Sequence, residues 1–170
     1  MKQAFILALS LVALFGCDRH QSQPQKTSDR EPSVLQPAEQ IQVLIFKDLA
    51  FHLIGRGDGE AAAIPLFLCL GDPQGDPSRQ VLTYVSQAYH SVRPCSVRGP
   101  RGSFGNVTER GTGFIGVELR IEPFSISNDG PVTIQASYYF ASLNAAGYEY
   151  KVNRVNGVWQ ILESILLWIA

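Results

Sequence analysis

Asp48 and His52 stand four residues apart in a run of strong helix formers, so they share one face of a helix. A carboxylate beside an imidazole can orient it as a general base, or the two can form the polar centre of a pocket. The competing reading is a solvent-facing polar stripe on an otherwise apolar helix, and a single His/Asp pair at this spacing favours it. Tyr138, Tyr148 and Tyr150 form a second group, with Trp159 beside them. They are expected on one face of a sheet, where they either wall a ligand cavity with rings and hydroxyls or fill the core as bulky β residues. Filling the core is the simpler reading. No catalytic residue is assigned.

Other spacings carry less chemistry. Cys69 and Cys95 have no C-x-x-C spacing, so they make no case for a redox or zinc site. Asp72 and Asp76 are each followed by Pro, with no bidentate Glu at calcium-loop distance, and turn and capping roles suffice for them. RGPRGSFGN, 98–106, is rich in glycine but lacks both G-x-S-x-G and the phosphate-loop Lys-Ser/Thr, which leaves a mobile hairpin loop as the expectation. Arg56-Gly57-Asp58 and the sequon at Asn106 are short matches of the kind chance supplies. His20 and His90 read as solvated. Neither a metal nor a cofactor is implied.

These residues need elements to hold them. AEQIQVLIFKDLAFHLI, 38–54, has no Gly or Pro inside, follows Pro37 and stops at Gly55, which reads as a helix apolar over most of its circumference. AAIPLFLCL, 62–70, is an apolar run between turn signals and reads as a buried strand. A short helix to about residue 88 is expected after Asp76-Pro77, with the Asp76 carboxylate as N-cap. The last third is β. Ile115, Val117, Leu119 and Ile121 alternate with Gly116, Glu118, Arg120 and Glu122, and 131–143 is long and rich in β formers. Tyr148, Tyr150 and Val152 alternate with polar residues, Asn156-Gly157 is a two-residue hairpin signal, and 158–169 reads as a central or well-covered strand. Helices followed by an antiparallel meander give an α+β domain, with the sheet curved around the N-terminal helix.

Composition bounds the partners. The chain has 170 residues, enough for one domain with a real core. With Lys2 set aside, 13 basic against 15 acidic residues leave a formal charge of −2, which argues against a nucleic-acid partner. No apolar run reaches the length of a spanning helix.

Two resemblances add to this. Residues 1–16 have a positive start and an apolar stretch, AFILALSLVALFG, and end Leu14-Phe15-Gly16 before Cys17. That ending resembles the lipobox of bacterial lipoproteins, in which the cysteine thiol takes a diacylglycerol and the chain is cut just before it. The resemblance implies a signal peptide over 1–16, a lipidated Cys17 and a domain anchored in a membrane of the bacterial envelope, inner or outer. Residues 17–37 then read as a polar, proline-bearing tether reaching about 25 Å. The domain, 38–170, resembles uncharacterised secreted bacterial proteins of cystatin-like or NTF2-like fold through Asp76-Pro77-Ser78, Tyr138-Tyr139, LNAAGYEYKV at 143–152, the Asn156-Gly157 hairpin with its Trp, and the final LLWIA. Those motifs are structural and imply a cone-shaped fold without carrying over active-site residues.

With Cys17 lipidated, Cys69 and Cys95 are left as an even pair in an oxidising compartment. A bridge between them closes about 25 residues and contributes roughly 3 kcal/mol in the chain-entropy picture. Two separate buried thiols are the alternative. The function expected is a binding module for a small molecule or another envelope protein, not an enzyme. An isomerase or hydrolase of the cone type and a structural part of an envelope complex are the other readings.

Overall fold

Pro37 opens the first helix, α1 (Pro37–Ile54), where its missing N–H costs nothing. Glu39 reaches back to accept the Gln36 N–H at 2.8 Å, half of a capping box. The computed structural model describes residues 34–54, 64–71, 75–127 and 130–170. The 1–16 leader, Cys17, His20, nearly all of the tether, Arg56-Gly57-Asp58 and Asp72 lie outside the described residues. Among the described residues no helix is long and apolar enough to cross a membrane.

After α1 come β1 (Leu66–Leu70), α2 (Arg79–Ser86) and β2 (Val92–Pro94), then β3 (Val107–Thr108), β4 (Ile115–Ile121), β5 (Val132–Ala141), β6 (Asn144–Val155) and β7 (Val158–Ile169). The strands form one sheet in the order β2-β1-β4-β5-β6-β7, with β3 added on β4. The protein is α+β as expected. The sheet, however, is mixed rather than wholly antiparallel. β1 runs parallel to β2, because the α2 crossover returns the chain in the same direction, and on its other side it is also parallel to β4. From β4 to β7 the meander is antiparallel. Asn156 and Gly157 turn the last hairpin at φ of 51° and 83°, the positive values that a tight two-residue turn requires. The α2 cap also differs from expectation. Ser78, not Asp76, accepts from the Val81 N–H. Asp76 instead accepts the Ser96 N–H at 2.7 Å and ties down the segment after β2.

α1 lies across one face of the sheet. Ile41, Ile45, Phe46, Leu49 and Ala50 are fully buried and pack with Leu66, Leu68, Val117, Leu119, Ile134 and Val152. The opposite face of β1 and β4 is also covered. Phe67, Cys69, Cys95 and Val107 are buried there, outside the α1 core, under the chain from β2 to β3. Burial on both faces is why β1 reads as an unbroken apolar run. Cys69 and Cys95 are joined by a disulfide at a sequence separation of 26, inside this second layer.

On that outer face lies Glu118, which alternates with the apolar core positions of β4. It is 2% exposed, with Arg98 3.3 Å from one carboxylate oxygen and the Arg120 guanidinium on the other. The alternation itself holds, but the face it points to is roofed by chain from elsewhere. Strand 158–169 was expected to be central or covered. β7 is instead the last strand in the sheet order, with Leu162, Leu166, Leu167, Trp168 and Ile169 all exposed.

Candidate functional site

The residues singled out for chemistry meet at the C-terminal end of α1. Asp48 and His52 project on successive turns, and His52 Nε2 lies 3.2 Å from Asp48 Oδ2. The same oxygen accepts a hydrogen bond from the Tyr150 hydroxyl at 3.0 Å, across 102 residues of sequence. The His52 ring stacks on Tyr148, with centroids 5.5 Å apart and planes within 14°. Tyr148 in turn touches Tyr138 and Tyr150, at 6.5 and 6.1 Å between centroids. Phe51 meets His52 edge-on at 6.4 Å.

The sheet explains why the tyrosines converge. Tyr148 and Tyr150 alternate on β6 and so share a face. The β5–β6 register sets Tyr138 opposite Ala146, the next position on that same face. Small Ala146 leaves Tyr138 and Tyr148 room to approach on the diagonal. Sequence reading left open whether these tyrosines wall a site or fill the core, and they divide. Tyr150 is fully buried and belongs to the core, while Tyr138 and Tyr148 are half-buried at its rim. Trp159 packs against the core and pairs with Arg154 across the hairpin, outside this cluster.

The Asp48 and His52 side chains remain 29% and 42% exposed, so the pair sits on the rim with one side open to solvent. Beneath it Phe46, Leu49, Ile134 and Tyr150 are buried to 1% or less and fill the space between helix and sheet. Burial, followed by the nearby Asp48 carboxylate, pushes the Tyr150 phenol far above its ordinary range. Burial, with Tyr138 and Asp48 behind it, also raises Tyr148. Both phenols therefore stay protonated near neutrality. Tyr150 is a fixed donor that orients the carboxylate, and a poor nucleophile or base. What the rim can offer is an oriented acceptor at Asp48, an imidazole edge at His52 and the aromatic surfaces of Tyr148, Tyr138 and Phe51.

Phe51 was not picked out from sequence, although an aromatic residue three positions after Asp48 and next to His52 was the available signal. The Arg98–Glu118–Arg120 cluster left no such signal, since Arg98 comes from the segment before β3 and no local spacing joins it to Glu118. His90 is exposed, as expected. A separate surface pocket of about 280 Å³ opens near the other end of α1, lined by Ala38, Gln42, Leu70, Ile121, Glu122 and Phe124. Among the described residues no group of His, Cys, Asp and Glu is arranged to hold a metal ion. No family model matches the chain, and neither a curated protein nor a solved structure matches it.

Proposed function

We propose that this chain is a lipid-anchored protein of the bacterial envelope, held through Cys17, whose NTF2-like α+β domain is a binding module rather than an enzyme. The rim at the end of α1 takes the ligand. One observation carries this reading: the rim is preformed and open, with Tyr150 and His52 both on the Asp48 carboxylate and His52 stacked on Tyr148. A site whose side chains are already held loses little entropy on binding. The solid packing below the rim favours a ligand laid on a surface over a substrate enclosed between helix and sheet. The chemistry suits a group with donors or positive charge for Asp48 and a flat or apolar body for the rings, on a small molecule or on a side chain of another envelope protein.

A photo-crosslinking residue at Phe51, in cells, tests the reading. A discrete product that is lost in Asp48→Asn and Tyr148→Ala variants is expected. No product, or a product unchanged by both substitutions, would overturn it. The enzymatic alternative rests on the 3.2 Å approach of His52 to Asp48, which would hold the imidazole as a base. It requires turnover that fails in both His52→Gln and Asp48→Asn.

A further inference from the structure

β7 ends the described sheet with twelve residues of strand, and no described strand pairs with its outer edge. Strands in this position are usually shortened or given lysine or proline so that they do not pair with other chains. β7 has neither residue, and its two register shifts, at Leu162 and Leu167, leave Glu163 to Leu166 as regular strand between them. Its acidic residue, Glu163, is held by Lys151 of β6 at 2.6 Å. Seven of its apolar side chains are strongly exposed, from Ile165 at 37% to Ile169 at 71%. They lie on both faces. Ile165 and Trp168 sit opposite Glu149 and Gly147 on the outer face, while Leu166 and Ile169 sit opposite Tyr148 and Ala146 on the α1 side.

We infer that β7 is a self-association edge: two copies of this chain pair β7 against β7 in antiparallel fashion and join their sheets into one. Three features favour a second copy. First, a two-fold axis through Ile165 sets Ile165 against its symmetry mate, Ser164 against Leu166 and Ile161 against Ile169. Same-face residues then meet and no like charges oppose each other. Second, an apolar strand whose one carboxylate is already neutralised meets no electrostatic barrier from its twin. Third, the same axis sets Leu162 against Trp168 as well as Ile161 against Ile169, so apolar side chains meet one another along most of the paired length. Apolar surface on both faces suits such pairing, because a continued sheet covers the flanks of the edge as well as its backbone.

The test uses the full chain in its bacterial host. An Ile165→Cys variant, oxidised in the envelope and run without reductant, is expected to give a band at twice the chain mass. Thr83→Cys, exposed on α2, serves as the control and is expected to give none. Adding Leu162→Lys and Leu167→Lys to the Ile165→Cys chain should reduce the dimer band at least tenfold. Retained protease resistance and an intact Cys69–Cys95 bridge would show that this triple variant still folds. A conjugate of some other mass would identify a different partner and overturn self-pairing. So would a chain that stays monomeric, or a dimer band equally strong for Thr83→Cys or in the lysine variant.

Discussion

Tyr150 shows how one side chain ties the rim to the core. Its ring is buried among apolar neighbours and its hydroxyl donates to Asp48. Tyr150→Phe should cost about 1–2 kcal/mol at neutral pH, read by urea unfolding, because the carboxylate loses a donor while the packing survives. The pH dependence follows from the raised phenol. The unfolded chain releases this proton near pH 10, whereas the folded chain holds it to well above that value. From pH 10 upward the unfolded state therefore binds fewer protons, and stability falls by up to about 1.4 kcal/mol per pH unit from this group. The Phe variant should lose that share of the slope, and an unchanged slope would contradict the assignment. Glu118 is the other decisive residue. Replacing it with Ala leaves the Arg98 and Arg120 guanidiniums without their buried carboxylate, and about 3 kcal/mol of stability should be lost in the same assay. The two partners of Asp48 differ in legibility. The Asp48–His52 pairing could be read from a spacing of four, but Tyr150 reaches Asp48 across 102 residues, which no local pattern encodes.

Elements hold these residues through close approaches that individual positions make possible. Gly116 on β4 is one. A Cβ there would stand 2.5 Å from both the Phe67 ring and the Pro65 carbonyl oxygen. Because one of those is backbone, Gly116→Ala should destabilise by roughly 1–3 kcal/mol, with the melting temperature as readout. The bridge between β1 and the turn after β2 is another. Replacing Cys69 and Cys95 together with Ala should cost about 3 kcal/mol in denaturant unfolding, mainly by freeing the 26-residue separation in the unfolded chain. The types of α1, α2, β1 and the long strands were legible, since each follows a local pattern, whereas the short strands β2 and β3 were not, being two or three residues long and set by their partners in the sheet. Strand direction was not. The parallel pairing of β1 with β4 joins segments far apart in sequence, and apolar alternation looks the same in either direction.

At the scale of the molecule, anchoring can be tested apart from the fold. Cys17→Ser should move the protein from the membrane fraction to the soluble one and abolish incorporation of labelled palmitate. A membrane-bound, still-labelled variant would remove the lipoprotein reading. By itself the sequence determined what depends on near neighbours: an α+β order of elements, a helix carrying Asp48 and His52 on one face, and strands presenting Tyr148 and Tyr150 together. It also pointed to Cys69 and Cys95 as partners. Periodicity and capping act over a few residues, so they can be read along the chain. Only the tertiary structure decided what each face meets. It drew Tyr138, Tyr148 and Tyr150 to the end of α1, buried Glu118 under a roof of distant chain, and set the apolar strand β7 at the edge of the sheet instead of its centre. Alternation tells which residues share a face. Whether that face is covered, and by what, depends on contacts between segments that the chain keeps far apart until it folds.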